Sequence, residues 1–147
     1  MIIKQIHENK KQFLELLLLA DEQESMIDKY LERGEMFALY EGGLRAVCVV
    51  TDEGNGICEL KNMVTVPESQ RKGYGKRLVE FISVHYSLRY LTMLVGTGDS
   101  PLTIPFYLKC GFAESYRVKN FFTDHYDHPI YEAGRQLRDM VYLAKAL

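Results

Sequence analysis

Three apolar segments of alternating pattern lie between residues 35 and 66, and only short glycine-containing turns separate them. Residues 35–40 (EMFALY) and 44–51 (LRAVCVVT) flank Glu41-Gly42-Gly43, and the turn DEGNG leads into residues 57–66 (ICELKNMVTV). Alternation with period two predicts β-strands, and glycine turns of this length join neighbouring strands as hairpins. Three consecutive strands therefore form before the chain can cross over, which excludes a doubly wound nucleotide-binding fold.

Helical periodicity lies on both sides of this strand block. A first strand is predicted over residues 1–7, and a helix is expected to begin at Asn9, with Gln12 completing a capping box, and to end near Ala20. A second helix begins at Ser25 and ends at Gly34. A helix, a buried strand, a short helix and two strands then follow at residues 75–86, 90–95, 101–111, 112–122 and 139–146. The order β-αα-βββ-α-β-α-ββ describes an α/β fold, a mixed sheet with helices on both faces.

Length and composition favour one globular domain over residues 1–147. Apolar residues make up 47% and charged residues 26% of the chain, so a self-sufficient core is available. The net charge of −2 argues against nucleic-acid binding driven by phosphate neutralisation. Three cysteines make neither a disulfide framework nor a zinc site and predict reduced thiols in the cytoplasm. No signal-peptide layout is visible, and the most apolar run is far shorter than the ~20 residues of a membrane span.

The sequence QRKGYG, residues 70–75, places two glycines directly before a predicted helix. Each glycine disfavours a helix by about 1 kcal/mol relative to alanine, so the bare backbone must serve another purpose. Glycines let a ligand approach the backbone closely, and a helix N-terminus presents unpaired N–H groups and a partial positive charge. The loop is therefore suited to a pyrophosphate, with added charge from Arg71, Lys72, Lys76 and Arg77.

Two other phosphate motifs do not match this loop. The P-loop pattern GxxxxGK[ST] is absent, and Leu78 replaces the third glycine of the dinucleotide fingerprint GxGxxG that Gly73 and Gly75 begin. A glycine-rich turn with a solvated basic face is the alternative interpretation of so short a motif.

Together with a second segment, the loop resembles the GNAT acetyltransferase superfamily. The family pattern Q/R-x-x-G-x-G/A is matched by Gln70, Gly73 and Gly75, and residues 105–112, PFYLKCGF, resemble the family segment F/L-Y-x-K-x-G-F. The spacing of the two pieces fits as well, and the strand order matches the family's mostly antiparallel sheet over essentially the whole chain. The tail resembles that of small bacterial members whose substrates are unassigned.

The resemblance implies that acetyl-CoA is the co-substrate, with no metal. Many relatives have an Asn seven residues before the helix tyrosine, where it contacts the pantetheine; here Ser100 stands at that position. The strand edge at Met63, Val64 and Val66 would pair with the pantetheine arm, as an extended peptide pairs with a sheet edge. In the family this strand splays from the next one, and the acetyl group enters the gap. Backbone amides would hold the pyrophosphate over the loop Arg71, Lys72, Gly73, Tyr74, Gly75 and Lys76.

Acetyl transfer to an amine needs a proton acceptor, because an alkylammonium titrates near about 10.4, and it needs donors for the developing oxyanion. Glu59 is the candidate base, since relatives often carry a carboxylate in mid-strand and burial raises a carboxyl pKa. Tyr107 is the candidate acid for the CoA sulfur, and the backbone N–H near Val64 is the oxyanion donor by family analogy. The alternatives are a Glu59 paired with a neighbouring lysine and a Tyr107 that only fills the core. Asn62, nearby, is a weaker candidate, which either bonds the acceptor or only stabilises a bulge.

The acceptor is predicted to be a primary amine of a small molecule or peptide. Six acidic and two basic residues lie in the segment 21–35, which flanks the acceptor cleft in the family, and this balance favours a cationic amine. A solvated helix face explains the same charges. The sequence DHYDH, residues 124–128, has no spaced partner motif, so a loop bordering the pocket is favoured over a metal site. A homodimer through the C-terminal strands is expected from family habit alone.

Two other classes of function fit parts of the sequence. A non-catalytic acyl-CoA sensor or partner-binding module could use the same fold, since a fold does not fix a function, although the retained Glu59 and Tyr107 argue against it. A nucleic-acid module could use the basic segment 70–77, but the acidic balance of the whole chain argues against that interpretation.

Overall fold

The computed structural model describes residues 1–147, which form nine strands and five α-helices. The strands are β1 (Ile2–Ile6), β2 (Glu35–Tyr40), β3 (Leu44–Gly54), β4 (Ile57–Thr65), β5 (Thr92–Gly98), β6 (Ala113–Val118), β7 (Tyr131–Glu132), β8 (Arg135–Gln136) and β9 (Met140–Ala146). The helices are α1 (Leu14–Ala20), α2 (Glu24–Ile27), α3 (Tyr74–Tyr86), α4 (Ile104–Lys109) and α5 (Phe121–His125), with 3-10 turns at Lys10–Phe13 and Pro67–Ser69. None of these helices has the length and apolar character that a membrane crossing requires.

Seven strands form one sheet in the order β1-β2-β3-β4-β5-β9-β6, and β7 and β8 form a separate hairpin. Every neighbouring pair in the large sheet is antiparallel except β4 and β5. This arrangement confirms the predicted mixed, mostly antiparallel sheet with three hairpin-connected strands before the first crossover. The helix α5 and the β7–β8 hairpin were not predicted.

Several predicted helix ends are wrong. Asn9 has a left-handed backbone (φ 52°), and its side chain makes no capping hydrogen bond. An N-cap residue needs an extended backbone conformation to direct its side chain at the first N–H groups of the helix. The expected capping box with Gln12 is therefore absent, and a 3-10 turn precedes α1. The second helix ends at Ile27, well before Gly34, and the helix after the glycine loop begins at Tyr74, one residue earlier than expected.

The sheet separates two apolar layers, because alternate residues of each strand point to opposite faces. Phe37 and Leu39 of β2 pack with α3 and α4, whereas Met36 and Ala38 pack with α1 and α2. The α3 side carries the buried Leu78, Val79, Ile82 and Tyr86, and the α1–α2 side carries Phe13, Leu17, Ile27, Tyr30 and Leu31. Helices therefore cover both faces, as the sequence predicts.

The parallel pair β4–β5 is short, and its shortness creates the opening in the sheet. Residues 57–60 pair with residues 92–95, and beyond that point β4 runs on to Thr65 and β5 to Gly98 without pairing to each other. Opposite β3, a register shift leaves Lys61 without a partner, which is a β-bulge. Bulges bend the strand that carries them, so β4 turns away from β5 where the pairing ends.

Lys10 holds the turn segment that follows α2. Its side chain is buried, and Nζ donates to the carbonyl oxygens of Leu31, Glu32 and Gly34 at 3.1, 3.3 and 2.6 Å. Lys10→Met keeps an apolar stem of similar length but removes the donor from all three carbonyls. We expect the free energy of unfolding to fall by about 2–3 kcal/mol, because a hydrogen bond to a charged group contributes about 1.5–3 kcal/mol. Denaturant titration measures this loss.

Lys11→Met is the matched control, since the adjacent Lys11 is exposed and forms ion pairs with Glu24 and Asp28. Exposed ion pairs contribute little to stability, so this variant should unfold close to wild type. Equal losses in the two variants would show that the buried Lys10 contacts do not stabilise the turn.

Candidate active site

A cavity of about 800 Å³ occupies the gap between β4 and β5, and residues from both faces of the sheet line it. On the α3 side, residues 73–76 and Phe106 border it. On the opposite side, residues 19–22 and the segment around α5 and the β7–β8 hairpin border it. A ligand in this gap can therefore meet a second ligand that enters from the other face.

The glycine loop forms one end of the cavity. Gly73 lies immediately before α3 in a left-handed conformation (φ 86°), which favours glycine, and Arg71 is left-handed as well (φ 63°). No side chain caps α3, so the N–H groups of its first turn are free to bind an anion. Arg71 and Lys76 line the cavity beside this backbone. The combination fits the pyrophosphate that the sequence predicts here.

Gly75 serves a different purpose from Gly73. A Cβ at Gly75 would lie 3.3 Å from the Phe106 ring and 3.4 Å from Thr65 Oγ1, so the glycine permits close approach of α3 to β4 and α4. Of the six loop residues predicted to contact the cofactor, five line the cavity, and Lys72 does not. Its amide lies between two lining residues, so its predicted contact stays a prediction.

The unpaired edge of β4 forms the wall of the gap. Val66 N–H donates to Arg45 O at 2.8 Å, and hydrogen-bonded pairs alternate along antiparallel strands. Val64 therefore directs its backbone groups towards β3, and those of Met63 and Thr65 face the gap. Met63, Val64 and Thr65 line the cavity, whereas Val66 lies outside it and bonds to β3. This alternation makes the N–H groups of Met63 and Thr65, on either side of Val64, the candidates for the predicted oxyanion donor near Val64, and that role stays a prediction.

Tyr107 lines the cavity from α4 and is only 8% exposed. Its ring packs edge-on against Phe106 and Phe112, with centroids 5.1 and 5.6 Å away. Burial raises the pKa of Tyr107, and the nearby Cys110 acts in the same direction, so the phenol is protonated at neutral pH. The structure therefore brings a fixed, neutral O–H donor to the cavity.

Ser100 does not line the cavity. It is buried, and its Oγ accepts a hydrogen bond from the backbone N–H of Leu102 at 3.2 Å, which engages the hydroxyl in a local turn. Thr97 and Thr103 line the cavity instead, with their hydroxyl oxygens 2.6 Å apart. The predicted pantetheine contact at Ser100 stays a prediction, and the threonine pair beside it offers hydroxyl groups to the cavity.

Glu59 does not line the cavity. It directly precedes Leu60, where the cavity-lining part of β4 begins, and the bulge follows at Lys61. It is buried, and its carboxylate pairs with Lys61 Nζ at 3.1 Å. Burial raises the pKa of the Glu59 carboxyl, and the charge of Lys61 opposes that rise. The lysine pairing that stood as the alternative for Glu59 is present, and Lys61 itself lines the cavity.

Asp21 lies in the cavity wall, although the sequence analysis gave it no role apart from the other acidic residues of the segment 21–35. Asp21, at the end of α1, accepts hydrogen bonds from Tyr30 Oη at 2.8 Å and Tyr126 Oη at 2.6 Å. Asn62 Nδ2 in turn donates to Tyr30 Oη at 3.1 Å and to Leu17 O at 3.2 Å. Asp21, Asn62 and Tyr126 all line the cavity. The network joins the α1–α2 loop to β4 and to the C-terminal part of the chain.

The segment that contains DHYDH forms part of this wall. Tyr126 packs with Phe121 and Phe122, and the buried Phe122, Ile130 and Leu137 form a small apolar cluster. His128 Nδ1 and Asp127 Oδ1 lie 2.6 Å apart on the surface. No group of three or more His, Cys, Asp or Glu side chains is arranged to hold a metal ion. Tyr126 lines the cavity, so the segment borders the pocket.

The comparisons with known proteins agree with this geometry. Residues 32–114 match the family model of the acetyltransferase (GNAT) domain. The uncharacterized N-acetyltransferase YvbK of Bacillus subtilis is 38% identical over 139 residues, which cover 92% of this chain and 90% of that protein. The chain belongs to the GNAT acetyltransferase family.

Two solved structures support the same assignment. A GNAT family acetyltransferase from Elizabethkingia anophelis with acetyl-CoA bound is 30% identical, with a TM-score of 0.93 over 99% of this chain and 97% of that one. A Bacillus subtilis acetyltransferase in complex with CoA is 37% identical, with a TM-score of 0.89 over the same shares. As a GNAT N-acetyltransferase, the protein is an acyltransferase that takes its acetyl group from acetyl-CoA, and its second substrate is an amine.

Proposed function

We propose that this GNAT protein moves the acetyl group directly from acetyl-CoA to a primary amine of a small molecule or peptide. The observation that carries the proposal is the cavity that passes through the sheet between β4 and β5. A thioester held from the glycine-loop side and an amine entering from the α1 side meet in this gap. No acetylated side chain is then needed as an intermediate.

Different groups around the gap have different roles in the proposed reaction. Backbone N–H groups of Met63 and Thr65 face the place where charge develops on the carbonyl oxygen as the amine nitrogen forms its bond to carbon. As the carbon–sulfur bond breaks, the Tyr107 hydroxyl donates its proton to the departing thiolate. Arg71, Lys76 and the first turn of α3 hold the pyrophosphate and fix the thioester in position.

Glu59 stays the proposed general base. Glu59→Gln should lower kcat by about tenfold or more, with acetyl-CoA affinity unchanged, because proton acceptance in the transition state is worth at least this much. Burial raises the pKa of the carboxyl, so more of it is protonated at a given pH than in an exposed glutamate. The rate should therefore rise with pH as Glu59 ionises, and this acid limb should be missing from the pH–rate profile of the variant.

Glu53→Gln is the matched control for Glu59. Glu53 is close enough to influence the pKa of Glu59, but its carboxylate is bonded to Thr51 and Arg33, and it lies at the end of β3, before the cavity-lining part of β4. Its variant should keep the acid limb. An unchanged profile in Glu59→Gln would remove Glu59 from the mechanism and leave it as the ion-pair partner of Lys61.

An amine screen tests the proposed function. Released CoA thiol can be followed with a thiol reagent, because Cys48, Cys58 and Cys110 are all buried and should react slowly. Acetyl-CoA binding with amine-dependent thiol release and a mass gain of one acetyl group on the amine is the expected result. Binding without transfer to any primary amine would favour the acyl-CoA sensor.

A cytoplasmic location and a homodimer stay proposals. The three buried, unpaired cysteines support a reducing compartment. The edge strand β6 is exposed along its whole length, so a second copy could add to the sheet there.

A further inference from the structure

The acceptor side of the cavity contains a carboxylate that is held in place from two parts of the chain. Two phenol hydroxyls fix Asp21, one from Tyr30 and one from Tyr126, which lies 105 residues further along. Through Tyr30 the carboxylate is two hydrogen bonds away from Asn62 on β4. It therefore lies close to the strand edge that faces the acetyl group.

Asn62 on β4 holds this network in place. It is only 3% exposed, and its Nδ2 donates to Tyr30 Oη and to Leu17 O, while its Oδ1 has no hydrogen-bond partner. The Oδ1 atom is buried behind the cavity surface, so a ligand in the cavity does not contact it directly. The link from Asn62 to the cavity therefore runs through Tyr30 to Asp21.

The electrostatics of Asp21 call for a cation. Burial raises the pKa of the carboxyl, while the hydrogen bonds from Tyr126 and Tyr30 and the charge of Lys29 lower it. Burial outweighs these groups, so the ionised form of Asp21 lacks a full counter-charge among the neighbouring side chains. A bound ammonium supplies that charge.

The acceptor side also has an apolar wall, beside which the charged Glu22, Lys61 and Glu132 line the cavity. Side chains from α1, the α5 segment and the approach to β9 form this wall, namely Leu19, Phe122, Tyr126, Ile130 and Leu137. An apolar wall favours an apolar body on the ligand, since burying carbon surface is the main source of affinity in such pockets.

We propose that Asp21, held in place by Tyr126 and by the Tyr30–Asn62 pair, recognises the ammonium of the acceptor, and that the acceptor is a monoamine whose remaining body is apolar and packs on the Phe122–Ile130–Leu137 wall. This inference rests on the proposed N-acetyltransferase activity and names the acceptor class of the same site. Asp21 is a binding residue in this scheme, so its loss raises KM for the amine more than it lowers kcat.

Isothermal titration of the full chain with CoA bound tests the inference without turnover. The probes are 2-phenylethylamine, the neutral analogue 2-phenylethanol and the polycation spermidine. We expect 2-phenylethylamine to bind wild type most tightly and Asp21→Asn at least about tenfold more weakly, as for a buried charge pair that loses one partner. Glu15→Gln is the matched control, because Glu15 is an exposed carboxylate on α1 that lies outside the cavity lining. It should bind the amine like wild type.

Three outcomes would overturn the proposal. Equal affinity of the amine and the alcohol for wild type would show that no ammonium is recognised. If Asp21→Asn folds and binds the amine as tightly as wild type does, Asp21 does not recognise the ammonium. Tighter binding of spermidine than of 2-phenylethylamine would replace the apolar monoamine with a polycation.

A second variant keeps the test valid if Asp21→Asn fails to fold. Tyr126→Phe removes one donor to Asp21 and keeps the carboxylate, so the amine should bind more weakly while the alcohol is unaffected. Turnover separates the two proposals. If the protein acetylates amines other than apolar monoamines, and their KM is the same in Asp21→Asn as in wild type, only this inference is wrong. If amine binding depends on Asp21 but no amine is acetylated, only the proposed function is wrong.

Discussion

Tyr107→Phe should lower the rate of acetyl transfer by at least about 100-fold, because general acid catalysis contributes about 10²–10⁴-fold to such reactions. The change removes one oxygen from a buried ring and keeps its packing against Phe106 and Phe112. Acetyl-CoA affinity should therefore stay close to that of wild type. The loss should appear in kcat and in kcat/KM alike, as expected for an interaction made only in the transition state.

Single-turnover measurement is the appropriate assay for Tyr107, since product release could otherwise mask a slower chemical step. Tyr116→Phe is the matched control: the same atom is removed from an exposed tyrosine that stacks on Tyr142, outside the cavity. That variant should transfer acetyl groups at the wild-type rate. Full single-turnover activity in Tyr107→Phe would show that the phenol only fills the cavity wall.

The strand, loop and helix at the cofactor end can be predicted from the sequence, because the residue patterns that specify them lie within one short segment. Period two over residues 57–66, two glycines and a following helical period determine β4, the loop and α3 without knowledge of the rest of the chain. Even there, the separate requirements of Gly73 and Gly75 appear only in three dimensions. Gly73 needs its backbone angle, whereas Gly75 needs room for Phe106.

The acceptor side could not be predicted in the same way. Its contacts join residues that are distant in sequence, or they use residue types that are unusual at those positions. The turn between β7 and β8 places Ala133 at a positive φ of 53° before Gly134, where the common hairpin signal is Asn-Gly. Tyr126 meets Asp21 across 105 residues, so no spacing could pair them. Lys10 is buried although lysine is almost always exposed, and only the carbonyls around it explain why.

Gly73→Ala should weaken acetyl-CoA binding by about 5–30-fold. This is the effect of the about 1–2 kcal/mol that a side chain costs at φ 86°, in the conformation that directs the α3 N–H groups at the pyrophosphate. With acetyl-CoA at about 100 times its Kd, wild type should gain about 2.7 kcal/mol, or about 5–10 °C in Tm for a chain of this size. At the same acetyl-CoA concentration the variant should gain only about 1–2 kcal/mol.

Gly54→Ala separates the loss of the ligand site from plain backbone strain. Gly54 has nearly the same conformation (φ 82°), open space around it, and a position in the β3–β4 turn outside the cavity. Both variants should therefore melt at lower temperature without ligand, but only Gly54→Ala should keep the full rise with acetyl-CoA. If Gly73→Ala keeps it too, the left-handed glycine is not what forms the anion site. The free N–H groups of α3, with Arg71 and Lys76, would then have to hold the pyrophosphate whatever conformation precedes them.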